Sequence, residues 1–83
     1  MTMSHSSRYN NLKEHALRVF ERHGSWIRPT EWAVLASFYP IRSAYSYLLR
    51  LHRFVLLERY KTAGRIVYRL SERGSSRLEW LKR

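Results

Sequence analysis

Between Ile41 and Phe54 the chain reads "IRSAYSYLLRLHRF", with arginine at Arg42, Arg50 and Arg53. Wound as a helix at about 100° per residue, this segment gathers Arg42, Ser46, Leu49 and Arg53 on one side, flanked by Ser43, Tyr45 and Arg50. That side is cationic and hydrogen-bonding, and it holds no carboxylate. A guanidinium presents a planar fork of donors that pairs bidentately with a phosphate or with guanine. The chemistry on offer is therefore recognition of a polyanion. A little further on, Lys61 and Arg65 flank the short turn sequence "TAG", a second basic cluster suited to phosphate contact.

Catalytic chemistry finds no comparable support. No serine or threonine sits in a nucleophile motif, no glycine-rich phosphate loop is present, and the six carboxylates are scattered singly. His5, His15, His23 and His52 lack the partners and spacing of a metal site, and the absence of cysteine excludes thiolate clusters and disulfides. The expectation is a protein that is not an enzyme, with no metal, no cofactor and no small-molecule pocket.

Composition agrees with an anionic partner. Sixteen Lys and Arg oppose six acidic residues, for a net charge of +10, and arginine dominates. Such a chain attracts polyanions at long range whatever its fold. Eighty-three residues, 45% of them hydrophobic, suffice for one small domain with a core. No apolar run approaches the roughly 20 residues of a membrane span, and the polar start "MTMSHSSRYNN" lacks the apolar centre of a secretory signal. These features predict a cytoplasmic, nucleoid-associated protein: a mobile arm over residues 1–8 and one domain over 9–83.

The elements that must position the arginines follow from periodicity and punctuation. A first helix is predicted over about 10–23, capped by Asn10 or Asn11, with Leu12, Ala16, Val19 and Phe20 on one face and Gly24 as its stop. "SWIR" reads as a short extended piece. Thr30 is the expected N-cap of a second helix over about 30–38, in which Trp32, Leu35 and Ala36 share a face. With Val34 and Phe38 elsewhere on the wheel, this helix is apolar nearly all round, so it should be buried or meet a partner.

The third helix, about 41–54, has an apolar stripe of Ala44, Leu48, Leu51 and Val55 opposite the arginines. Tyr47 falls beside Leu51 and belongs with the core, and Tyr45 is more exposed. Leu49 is open between contact with a thymine methyl, packing under the hairpin, and plain exposure. Two strands, about 56–60 and 65–70, form a hairpin, with Ile66, Tyr68 and Leu70 alternating against Arg65, Val67 and Arg69. Ser71 caps a last helix over about 71–82. Trp26 is expected in the core or over the hairpin. Trp80, off the Leu78 and Leu81 stripe, belongs either against the first helix or in a dimer interface.

The run Leu48-x-x-Leu51-x-x-x-Val55-Leu56-Leu57-x-Arg59 resembles the "L-x-x-L-x-x-x-G-L-[LV]-x-R" junction of winged helix-turn-helix transcriptional regulators of prokaryotes. "Tyr68-Arg69-Leu70-Ser71-Glu72-Arg73-Gly74" is similar to their wing-to-last-helix junction, "Y-x-L-T-x-x-G". With "RSAYSYL" at 42–48 the likeness covers most of residues 10–83. It departs at Val55, where the family places glycine in a left-handed turn. Valine is poor at positive φ, so the third helix is expected to end by another route.

The resemblance implies a mainly α fold with a small β-hairpin (α+β) and a transcriptional regulator bound to double-stranded DNA. It puts helix 41–54 in the major groove and wing 60–66 on the backbone or minor groove. By position, Arg42, Ser43, Tyr45, Ser46, Arg50 and Arg53 would face DNA, and Lys61 and Arg65 would sit at the wing tip. Homodimerisation stays open, with Trp80 as the candidate interface residue. The rival readings are a protein-docking winged helix and an RNA-binding domain.

Overall fold

The computed structural model describes residues 6–83, with side chains from residue 11 onward. The elements run α1 (Ser6–His23), α2 (Pro29–Ala36), α3 (Ile41–Arg53), β1 (Leu57–Thr62), β2 (Arg65–Leu70) and α4 (Glu72–Lys82). This is the predicted class: four helices and a two-stranded antiparallel hairpin, in helix-turn-helix-plus-wing order.

Helix α1 begins at Ser6, ahead of the expected cap at Asn10 or Asn11, so positions 6–8 of the expected arm are helical. Residues 1–5 of that arm lie outside the described residues. Ala16, Leu17, Val19 and Phe20 are buried, whereas Leu12, at the end of the stripe, is 40% exposed. Gly24 ends the helix as expected: at φ 75° its N–H reaches the Phe20 carbonyl at 3.0 Å. The extended piece that follows joins the sheet at one point, where Ile27 and Tyr68 exchange backbone hydrogen bonds of 2.8 and 2.9 Å.

Thr30 is not the cap of α2. The N-cap position belongs to Arg28, and Pro29 occupies the first helical position, where its fixed φ suits a helix and its missing N–H costs nothing. The helix stops at Ala36 rather than Phe38, because Ser37 turns left-handed and Phe38 N–H bonds back to the Ala33 carbonyl at 2.8 Å. Its buried face is Pro29, Trp32, Ala33 and Ala36. Leu35, expected beside Trp32, is 51% exposed and Val34 59%. The reason is angular: Ala33 and Ala36 lie on one side of Trp32 on the wheel and Leu35 on the other. Trp32 is fully buried, donates Nε1–H to the Ala16 carbonyl at 3.3 Å, and packs against Phe20, Phe38 and Tyr47.

Helix α3 buries Ala44, Leu48 and Leu51 as predicted, but Val55 leaves the stripe and is 58% exposed. The expectation that valine would avoid the left-handed turn is overturned. Val55 has φ 64°, with its N–H on the His52 carbonyl at 2.8 Å and Leu56 N–H on the Leu51 carbonyl at 3.0 Å. This left-handed ending drops Leu56 and Leu57 straight into the core, where both are buried. Burying two leucines contributes more than the roughly 1–2 kcal/mol that a non-glycine residue loses in this conformation.

The hairpin is closed by Ala63 and Gly64, at φ 50° and 76°, the two-residue turn whose twist matches the strands. Each partner in the register is set by the pair Thr62 with Arg65, so Lys61 lies opposite Ile66 and Tyr68 opposite Arg59. Tyr68 is buried, and Ile66 and Leu70 are half-buried against the core. Ser71 caps α4 as predicted: its Oγ accepts from Gly74 N–H at 2.9 Å and donates to the Val55 carbonyl at 2.6 Å. One hydroxyl thus ties the start of α4 to the end of α3.

Candidate nucleic-acid interface

The core stripe of α3 dictates what its other side presents. With Ala44, Leu48 and Leu51 held inside, Arg42, Ser43, Tyr45, Ser46, Arg50 and Arg53 are all exposed. Tyr45 is 49% exposed. Tyr47 goes to the core as expected: its ring stacks on Phe38 at 5.2 Å and on Trp32 at 6.1 Å. Burial pushes its phenol up to about 12, against a smaller opposing pull from Arg50. Leu49 is half-buried, which excludes plain exposure.

The hairpin brings its tip back toward this helix. Lys61 and Arg65 are exposed on either side of the Ala63–Gly64 turn. Arg65, Gly64 and Ile66 line an open groove of about 340 Å³ together with Tyr45 of α3 and with Arg28, Pro29 and Thr30 at the start of α2. The fold therefore unites Tyr45 and Arg65, separated by 20 positions in the chain, on one concave surface. It also adds Arg28, which sequence reasoning missed. The available signal was the extended "SWIR" piece, in which side chains alternate, so that an inward Ile27 turns Arg28 outward.

Electrostatics set this surface apart. Among the described residues, Arg28, Arg42, Arg50, Arg53, Lys61 and Arg65 form no ion pair, whereas five of the six glutamates are occupied elsewhere. Glu14 binds Arg18, Glu21 and Glu79 share Lys82, Glu31 meets His23, and Glu58 holds Arg69. The sixth, Glu72, sits in the first turn of α4, where the helix dipole favours it. The positive charge of α3 and the hairpin tip is thus left without internal neutralisation.

The histidines act as connectors. His15 Nε2 lies 2.9 Å from the Ala36 carbonyl, and His52 Nδ1 lies 3.1 Å from that of Leu57, in each case with the ring N–H donating. Among the described residues no cluster of histidine and carboxylate could hold a metal ion. Trp26 covers the hairpin rather than entering the core, half-buried beside Tyr60. Trp80 does not pack inside: it is 53% exposed, with the Arg77 guanidinium 5.3 Å from its ring centre. Leu78, by contrast, is fully buried.

No helix among the described residues is long and apolar enough to cross a membrane. The chain matches no family model, no curated protein and no solved structure at a significant level.

Proposed function

We propose that this domain binds double-stranded DNA as a sequence-selective transcriptional regulator, with α3 in the major groove and the hairpin tip on the backbone or minor groove. One observation carries the reading: on a helix-turn-helix-plus-wing framework the exposed side of α3 holds arginines and no acid, and its Tyr45 lines one groove with Arg28 and with Arg65 of the hairpin tip. A helix of this kind fits the major groove, where arginine reads guanine edges. Most contacts in such complexes go to phosphate and sugar, the role assigned to Lys61, Arg65 and Arg28. Arg42, Ser43, Tyr45, Ser46, Arg50 and Arg53 are the candidates for base edges and adjacent phosphates. No chemical step is required of the protein, and no cofactor enters the reading.

The experiment is selection from a randomised duplex pool, with the bound fraction sequenced at two salt concentrations. An enriched motif supports sequence-selective recognition. Salt-sensitive capture without a motif would replace it with a nonspecific architectural role, and no capture at either salt would refute it.

The exposed Trp80 favours an addition to this reading, a homodimer meeting through α4. A dimer would prefer two half-sites about one helical turn apart. Sedimentation of the wild type and of Trp80→Ala tests it: a monomer at every concentration would remove the dimer and leave the DNA reading intact.

A further inference from the structure

The small sheet has one face against the helices and one turned away. Ile27, Leu57 and Tyr68 point inward and are buried. Side chains alternate along a strand, so Glu58, Tyr60 and Thr62 of β1 and Arg65, Val67 and Arg69 of β2 share the outer face. Continuing the Ile27–Tyr68 bridge puts Trp26 opposite Arg69 on that same face. The contacts agree with this placement. The Trp26 and Tyr60 rings lean together over β2, with centroids 5.8 Å apart and planes inclined by 46°. The Arg69 guanidinium lies 4.6 Å from the Trp26 ring centre and is held there by Glu58 Oε1 at 2.7 Å.

Covering Val67 would account for two apolar side chains here, but not for their character. Tyr60 is 55% exposed, and beside it a planar cation lies on an indole ring and is itself exposed. Arg65 stands at the tip of the same face and Arg28 at its edge; of the two glutamates nearby, Glu58 is already bound to Arg69, and Glu72 lies at the end of the sheet away from the tip. Aromatic rings set among arginines on a sheet face suit unpaired nucleotides, because every base has a π-face and a free strand can lay its bases flat on such a platform. A duplex cannot do this, since its bases are already stacked on one another.

We propose that the outer face of the hairpin sheet is a second nucleic-acid site that takes single-stranded nucleotides. A base stacks on Tyr60 beside the Trp26–Arg69 pair, and the phosphates run toward Arg65 and Arg28. This surface is separate from the exposed side of α3, because the buried side of that helix, with Leu48 and Leu51, shares the core with Leu57 and Tyr68 of the sheet's inner face, and it does not depend on duplex binding. Arg28 and Arg65 lie where the two surfaces meet, so a strand leaving a duplex would have a continuous basic path.

The test compares anisotropy of a short labelled oligothymidylate with that of a blunt duplex, at one salt concentration, for the wild type, Tyr60→Ala and Tyr60→Phe. Stacking one base predicts that Tyr60→Ala weakens oligothymidylate binding about tenfold while duplex affinity is unchanged, and that Tyr60→Phe restores it. Thermal melting of each variant verifies the fold, which an exposed tyrosine should not disturb. The inference is overturned if the wild type does not bind oligothymidylate, if Tyr60→Ala leaves that binding unchanged, or if duplex binding falls by the same factor. Self-association in the absence of nucleic acid that is lost in Tyr60→Ala would assign the face to a second copy and also overturn it. Tyr60-dependent capture of oligothymidylate without duplex binding would uphold this site and refute the α3 reading, so the two proposals fail separately.

Discussion

Removing Arg50 and Arg53 together, as Arg50→Ala/Arg53→Ala, should change the salt dependence of duplex binding by an amount the structure allows one to work out. Arg28, Arg42, Arg50, Arg53, Lys61 and Arg65 are exposed on α3, at the hairpin tip or just ahead of α2, and form no ion pair among the described residues. If each neutralises one phosphate, counterion release gives a slope of log affinity against log salt of about −5.4, falling to about −3.6 in the double variant. Between about 50 and 200 mM salt, affinity should then drop roughly 2,000-fold for the wild type and roughly 150-fold for the variant. Fluorescence anisotropy across that range reads both slopes. Arg77→Ala on α4 serves as the control and should leave the slope unchanged, because Arg77 stacks on Trp80 and belongs to no part of the α3 surface. Both arginines of the double variant are exposed, so the melting temperature should hold. A wild-type slope near zero would refute the phosphate mechanism. An equal loss of slope in Arg77→Ala would show that general charge, not this surface, is responsible.

Three further outcomes follow from packing and backbone geometry. Val55→Gly should stabilise the domain by about 1 kcal/mol, because glycine relieves the left-handed strain at φ 64° and little apolar burial is lost at a residue 58% exposed. Denaturant titration reads this, and a destabilised variant would contradict the strain argument. Leu48→Ala or Leu51→Ala, both buried at the centre of the α3 stripe, should cost about 2–5 kcal/mol in the same measurement, and a cost under about 1 kcal/mol would contradict their placement. Tyr47 concerns alkaline pH. Its phenol is raised from 10.0 to about 12 by burial, so the folded chain keeps a proton that the unfolded chain releases near pH 10. The stability tied to that proton is intact below pH 10 and is lost as pH rises toward 12, by at most about 2 kcal/mol once partial exposure is allowed for. Tyr47→Phe should decline less steeply over this window, and identical pH profiles would refute the assignment.

The sequence was most legible where a local rule had no competitor. The Ala44, Leu48 and Leu51 stripe determined which side of α3 faces inward, and thereby left Arg42, Tyr45, Arg50 and Arg53 outside. Gly24 as a stop and Ser71 as a cap likewise follow from conformational and hydrogen-bonding preferences that act within a few residues. Local rules failed where two of them competed. At the start of α2, proline's fit to the first helical turn prevailed over threonine's capping preference, which moved the cap to Arg28. At Val55, a local aversion to positive φ yielded to the burial of Leu56 and Leu57, a demand made by residues far along the chain.

What only the tertiary structure decided is which separate pieces meet. Neither strand pattern nor helix period places Arg28 beside Tyr45 and Arg65, or Trp26 over Tyr60 and against Arg69. Those neighbours depend on the Ile27–Tyr68 bridge and on the hairpin register, that is, on long-range pairing. The chain alone therefore determined a basic helix, a basic turn and a core to carry them, because periodicity and capping are properties of neighbours in sequence. The folded molecule decided that Tyr45 of the helix, Arg65 of the turn and Arg28 of the extended edge line one groove, with Trp26, Tyr60 and Arg69 on the outer face of the sheet, because the hydrophobic burial and backbone pairing that join them act between residues distant in the chain.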